Sequence, residues 1–308
     1  MEIKAEIIAH SKSSVNGKEI VTFELEYPRW IHGELLTHRL FSRNAASSRA
    51  IPVAKMIDQV RNDPAVPVHW GKNQPGMQAK EELDEMTKNA VICEWEEAAN
   101  NAATNAKAMM DMGAHKQIVN RILEPFQMMK TVLTATEFDN FFWLRKHPDA
   151  QPEIKLLAEK MWEALQESKA VELYPGQWHA PYYRSGYWCE SFTDSLEDAL
   201  AISSSCCAQV SYRKLDDSLE KAKDIFGKLI ESKPCHASPT EHQATPMEGG
   251  GEFWDESGDY SLNTRDPLTW QEGVTHSDKF GNLWSGNFKG WIQHRQLIPE
   301  NVCWNFEE

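Results

Sequence analysis

The densest run of chemically capable side chains is Thr37-His38-Arg39-Leu40-Phe41-Ser42-Arg43-Asn44-Ala45-Ala46-Ser47-Ser48-Arg49. Three arginines and three serines fall within the eleven residues that end at Arg49. Guanidinium forks and small hydroxyls at this density suit a phosphate. Backbone N–H groups at the exit of a helix would serve the same anion. The alternative for the segment on its own is a basic, solvated helix end. The surrounding chain is acidic, with 46 Asp and Glu against 32 Lys and Arg in 308 residues, a net charge of −14. Such a surface repels a nucleic-acid backbone, so no nucleic-acid partner is expected. A small anion held by a few converging arginines is compatible with it.

Several elements must position this run. Ile3, Ala5, Ile7 and Ala9 alternate along 3–9, and Val21, Phe23, Leu25 and Tyr27 alternate along 20–27. Asn16-Gly17 lies between them, which predicts a hairpin. Residues 30–45 then read as a helix that places Glu34, His38 and Ser42 on one face. Pro and Gly crowd 51–75, an ordered excursion outside the core. A proline-free helix is expected over 78–112 with Gly113 as its stop, and a second over 115–123. Residues 153–168 carry an amphipathic stripe of Ile154, Leu157, Ala158, Met161, Trp162 and Leu165. Beyond them lie an aromatic loop at 172–192, a helix at 194–203, a strand at 207–212, a helix at 217–231 and a last helix at 285–297. The fold class is α+β, a mixed sheet with a long-helix subdomain.

The six cysteines contain no C-x-x-C pair, and Cys206 and Cys207 are adjacent, which argues against a disulfide framework. Neither a signal peptide nor an apolar run long enough for a membrane span is read. The expectation is a reduced, cytoplasmic protein without a membrane partner or a metal site.

The signature region resembles that of the flavin-dependent thymidylate synthases, the thymidylate synthase complementing proteins. Their motif is Arg-His-Arg, two residues, Ser, one residue, Asn-Glu, one residue, Ser, one residue, Arg. Six of its eight positions are present with the spacing intact: His38, Arg39, Ser42, Asn44, Ser47 and Arg49. Thr37 stands where the first Arg belongs and Ala45 where the Glu belongs. Residues 113–125, with Arg121 before Pro125, are similar to a family helix. Asn140-Phe141-Phe142-Trp143-Leu144-Arg145, followed by Ala150-Gln151-Pro152-Glu153-Ile154, is similar to a further family block. A family turn that normally precedes the signature is found late instead, as His236-Ala237-Ser238-Pro239-Thr240-Glu241-His242. After it, Trp291-Ile292-Gln293-His294-Arg295 looks like a second, degraded signature. The order is therefore rearranged by permutation or partial duplication. Residues 1–170 form the signature and nucleotide-binding region, and 171–308 a relocated strand-helix-turn unit completing the same fold.

The resemblance implies FAD as cofactor, methylenetetrahydrofolate and NADPH as co-substrates, and C5 methylation of dUMP to dTMP. Sister reactions would be hydroxymethylation of dUMP or one-carbon transfer to dCMP, and a non-catalytic flavin- or nucleotide-binding relative is a third reading. It further implies a homotetramer. Arg145 and Ser47 would be catalytic. Glu34, Ser47, Ser48, Arg49, Arg121 and Arg145 would bind the pyrimidine deoxynucleotide monophosphate. His38, Arg39, Leu40, Asn140, His236, Ser238 and Glu241 would line the FAD. No cysteine is expected to be catalytic; Cys235, beside His236, is the one with a plausible partner.

Overall fold

A computed structural model describes residues 2–211, 216–230, 232–249 and 266–306. Strands β1 (Lys4–Ser13) and β2 (Glu19–Pro28) form the expected hairpin, and Gly17 at φ +69° takes the left-handed turn that Asn16-Gly17 encodes. A 3₁₀ turn (Arg29–Ile31) and the short helix α1 (His32–Leu35) follow. The predicted helix over 30–45 ends there. Residues 42–45 are instead strand β3 (Ser42–Ala45), whose backbone pairs antiparallel with β4 (Met128–Ala135). An open edge on β4 offers four residues of ladder, a long-range contact that local pattern does not encode.

Helix α2 (Val53–Asn62) occupies the predicted excursion and corrects it. Val53, Met56, Ile57 and Val60 are buried against Ala99, Ala103 and Ala106 of α3 (Glu85–Asp111). The small alanines let the two backbones approach closely. Asp84 caps α3 by accepting from Thr87 N, so that helix begins later than expected. The second helix of this subdomain is brief: α4 (Lys116–Val119) passes into a 3₁₀ segment (Asn120–Phe126) carrying Pro125. Helices α5 (Asp139–Arg145) and α6 (Pro152–Glu167) complete the first half. Gln151 caps α6 by accepting from the N–H groups of Glu153 and Ile154.

The principal sheet runs β3-β4-β2-β1-β5, with β5 (Val171–Leu173) parallel to β1 and all other pairs antiparallel. The sheet is mixed, as expected for the α+β class. One face carries Val21, Phe23, Leu25, Tyr27 and Leu133 and packs on Phe141, Phe142, Ile154, Leu157 and Met161 of α5 and α6. Trp162 of the predicted stripe stays 37% exposed, at its edge.

The second half contributes β6 (Trp178–His179), β7 (Tyr187–Trp188), α7 (Leu196–Ala208), α8 (Leu219–Leu229), β8 (Ala244–Pro246), β9 (His276–Ser277), β10 (Leu283–Ser285), β11 (Phe288–Lys289) and β12 (Trp291–Gln293). They make a sheet of order β12-β8-β6-β7 and a smaller one of order β11-β10-β9. The strand predicted at 207–212 is the end of α7 and a 3₁₀ turn; its last residue, Tyr212, lies outside the described residues, as does Arg213. Ser195 caps α7, and the buried Ala199, Leu200, Ser203, Cys206 and Cys207 hold it helical to its end. The helix predicted at 285–297 is likewise absent. Trp291 and Ile292 are buried in β12, paired with β8, and only His294–Leu297 turn helically. No helix among the described residues is long and apolar enough to cross a membrane.

The opposite face of the principal sheet is polar, and the second half covers it. Ser11 Oγ lies 2.9 Å from His179 Nδ1, and His179 Nε2 lies 2.8 Å from Thr22 Oγ1. Thr22 meets Thr134 at 2.7 Å, and Thr134 meets His242 Nδ1 at 2.8 Å. All five side chains are essentially excluded from solvent. Burial, the dominant cause, lowers His179 and His242 from the ordinary 6.5 to about 3. Both are therefore neutral in the fold near neutral pH. Unfolding exposes them to protonation from pH 6.5 downward, so stability is level above neutrality and falls on acidification. Each histidine contributes a slope of up to about 1.4 kcal/mol per pH unit below its unfolded pKa. Urea midpoints should be nearly level around pH 7.5 and drop between pH 6.5 and pH 5, and His242→Gln should flatten the dependence. An equal pH slope in that variant would contradict the assignment.

Candidate functional site

The exit of α1 is drawn tight by short-range bonds from Thr37 N to Glu34 O and from His38 N to Leu35 O. The last carbonyls of a helix have no partners within it. Arg43 supplies one: its Nη1 donates to Leu35 O and His38 O, both at 3.2 Å. Arg43 thus holds the bend through which the chain passes from helix to strand.

Arg145, at the C-terminal end of α5, closes the other side of the bend. Its Nε donates to His38 Nε2 at 3.0 Å, Nη1 to Glu34 Oε2 at 3.0 Å, and Nη2 to Thr37 Oγ1 at 3.3 Å. His38 is stacked on Phe41 and meets the edge of Phe141 at 4.9 Å between ring centroids. Burial, then Arg145 and Arg43, lower its pKa to about 4. His38 is therefore a neutral imidazole whose Nε2 lone pair accepts from Arg145. Thr37 also donates to Glu34 O at 2.7 Å. An arginine in its place would set a second cation against Arg145. Glu34 and His38 do converge, but through this bend rather than along one helix face. Ser42 turns the other way, buried against Asn287 at 3.1 Å.

The turn after β3 is anchored from below. Asn120, fully buried, donates from Nδ2 to Ser48 O at 2.7 Å and to Ile51 O at 3.0 Å. Lys116 Nζ reaches Ala50 O at 3.3 Å. Ser47 Oγ accepts from Arg49 N at 3.3 Å, and Ser48 is buried. Arg49 and Arg121 are both exposed, and Arg121 pairs with Glu124 at 2.9 Å. Sequence reasoning missed Asn120; its one signal was its place directly before Arg121.

A cavity of about 640 Å³ opens where the two halves meet, lined by Arg39, Phe41, Arg43, Glu241, Arg295 and Trp304 among others. Arg295 Nη1 donates to the Glu241 carboxylate. Gln293 Nε2 bridges Ser42 Oγ, Glu241 O and Asn287 Oδ1, and Asn287 donates in turn to Leu40 O. Arg39 and Glu241 thus face one space, whereas Leu40, Asn140, His236 and Ser238 are exposed and do not line it. No cysteine is among the described residues lining this cavity. Cys206 and Cys207 are buried in α7, and burial pushes Cys206 up to about 12, far from a reactive thiolate.

Residues 2–169 match the family described as thymidylate synthase complementing protein. The chain belongs to that family. Among solved structures, the chain is similar to a UMP/dUMP methylase, PolB, from Streptomyces cacaoi, bound with 5-Br dUMP. The two are 18% identical with a TM-score of 0.46, over 54% of this chain and 90% of that one. It is also similar to Thymidylate Synthase X from Helicobacter pylori with FAD and dUMP, at 17% identity and a TM-score of 0.32, over 47% and 67%. No curated protein matches the chain. The family match ends at residue 169, before β5, so the C-terminal wall of the cavity lies outside it.

The anchoring by Asn120 is testable without a ligand. Asn120→Ala leaves two carbonyls without their donor, which should cost about 2 kcal/mol or more in urea unfolding. Amides of 47–51 should exchange faster in the native protein. Unchanged exchange there would show that the turn holds itself.

Proposed function

We propose that the chain carries out a flavin-dependent one-carbon transfer to C5 of a pyrimidine deoxynucleotide monophosphate, with dUMP converted to dTMP. The observation that carries this reading is Arg145, whose guanidinium is locked by Glu34, His38 and Thr37 at the mouth of the family signature. Three partners fix the plane of the fork, and the remaining N–H groups are left for a ring carbonyl. Making C5 a carbon nucleophile gives the ring enolate character, with negative charge on a carbonyl oxygen, where a donor held in advance would cost no reorganisation. Neutral His38 holds Arg145 without competing for its charge. Ser47, Ser48, Arg49 and Arg121 lie at or beside the anchored turn and would take the phosphate and sugar, with Ser47 also in the catalytic role that the family implies.

The residues around the 640 Å³ cavity fit FAD. Arg39, Arg43 and Arg295 outnumber the carboxylates of Glu241 and Glu300, within a chain of net charge −14. A volume of that order holds a cofactor-sized ligand. Arg39 and Arg43 would hold its diphosphate, beside Glu241. When bound, reduced flavin supplies the electrons that turn the transferred carbon into a methyl group, with methylenetetrahydrofolate as carbon source and NADPH as reductant. Residues 171–308 would act as a relocated unit completing the fold of 1–170, and the protein as a cytoplasmic homotetramer. These finer features follow the family.

One observation favours a sister reaction. The Glu34 carboxylate, 3.0 Å from Arg145, only accepts hydrogen bonds. It suits the 4-amino group of a cytosine, so one-carbon transfer to dCMP is the second reading.

Tritium release from C5-labelled dUMP and dCMP, with FAD, methylenetetrahydrofolate and NADPH, tests both. Release from dUMP is expected, and release from dCMP alone selects the second reading. No release from either, with nucleotide bound, would leave a binding protein. Arg145→Lys should lose nucleotide affinity by about tenfold or more while retaining flavin, because an ammonium cannot reproduce the fork. Equal loss of both ligands would count against its role.

A further inference from the structure

The C-terminal segment that follows β12 was not assigned a role by the family match, yet it forms one wall of the cavity. Arg295 is held there from two sides: Nη1 donates to Glu241, and Nη2 donates to Asn301 O at 3.2 Å. The tail then carries Trp304 to the cavity, where it remains 88% exposed. On the facing wall, Arg39 makes no ion pair among the described residues. Arg43 donates to the carbonyls of Leu35 and His38 and makes no ion pair at contact distance among the described residues, though the charge of Glu241 acts on it. Of the two lining carboxylates, Glu241 is committed to Arg295, and Glu300 to Lys233 at 3.0 Å. The space between the walls therefore has an excess of positive charge in an acidic protein.

We infer that Arg295 and Trp304 bind an aromatic ring carrying a diphosphate, completing from the C-terminal half a site whose other wall is Arg39. This rests on the reading of the cavity as a cofactor site and adds to it the residues that recognise the ligand. Arg39 and Arg43, with the ion-paired Arg295 lining the same cavity, offer guanidinium donors to two adjacent phosphates, which a monophosphate would only partly satisfy. An indole at the mouth offers a flat apolar face that gains burial only when a ring stacks on it. The Glu241 ion pair orients Arg295, and the bond to Asn301 O ties the tail to the same guanidinium. The arginines of the two His-Arg pairs, Arg39 and Arg295, thus line the same cavity.

A flavin dinucleotide, a nicotinamide dinucleotide and a free nucleoside diphosphate share this chemistry. Full-length protein freed of cofactor is titrated with FAD, NADPH, ADP and riboflavin, reading tryptophan quenching and, for FAD, flavin fluorescence. FAD and ADP should compete, and riboflavin, without phosphates, should bind weakly. Trp304→Leu alters an exposed side chain and should weaken FAD by about tenfold and remove most of the quenching. Arg295→Gln should weaken FAD by a similar factor, about tenfold, with Arg295→Lys intermediate. Affinity for dUMP should stay unchanged in Trp304→Leu. Tight FAD binding indifferent to both Trp304→Leu and Arg295→Gln would overturn the inference while leaving the flavin reading intact. ADP or NADPH binding sensitive to both, with no binding of FAD, would uphold this site and overturn the flavin reading. Absence of binding by all four ligands would overturn both.

Discussion

Thr22 and Thr134 face each other at the centre of the principal sheet, 2.7 Å apart and sealed from water. Buried hydroxyls are costly unless every one finds a partner. Here the partners come from the second half of the chain, as His179 and His242, with Ser11 closing the far end. An apolar cover would leave the threonines unsatisfied, and water would open the face. The chain of hydroxyls and imidazoles therefore dictates where residues beyond 170 must sit. Thr134 is also the register partner of Ser42, the first residue of β3. Docking His242 on Thr134 thus delivers Glu241 to the signature strand, and with it Arg295.

The two faces of the sheet divide the work. The apolar face binds α5 and α6, and α5 ends in Arg145 beside Glu34 and His38. The polar face binds the second half and creates the cavity. Strand β3 and the bend before it lie between these regions. Residues a few positions apart consequently serve different sides: His38 meets Arg145, Arg39 lines the cavity, and Arg43 braces the bend from within. The chemistry proposed for the family needs a nucleotide and a cofactor close together. A short segment shared by two differently built regions would provide that closeness.

What could be read from the sequence was what local pattern governs. Alternation with Asn16-Gly17 encodes the hairpin, and the stripe from Ile154 to Met161 encodes α6. Residues 42–45 carry no local strand signal because their strand character comes from β4, a partner some ninety residues later. Helix α2 hides among prolines and glycines, and its apolar face is visible only against the alanines of α3. Trp291 and Ile292 were read as helical for the same reason, since β8 sets their conformation. At the site, His38 and Arg145 are readable as motif residues and Glu34 as a neighbour of His38 one helical turn away, whereas their joint contact is not. Arg295 stands in the sequence as part of a second His-Arg pair, but only the fold pairs it with Glu241 and brings Trp304 to the same cavity. Asn120 acts entirely through backbone carbonyls, which leave no trace in a motif.

The central claim is that both halves of the chain build one site with two adjoining parts. Hydrogen exchange on the full-length protein, with and without dUMP and FAD, measures this directly. With dUMP, the account predicts slower exchange in 34–38, 47–51 and 116–121. With FAD, it predicts slower exchange in 39–43 together with 238–241 and 293–304, segments from opposite halves. Protection by both ligands confined to residues before 170, with the C-terminal segments unchanged, would contradict it.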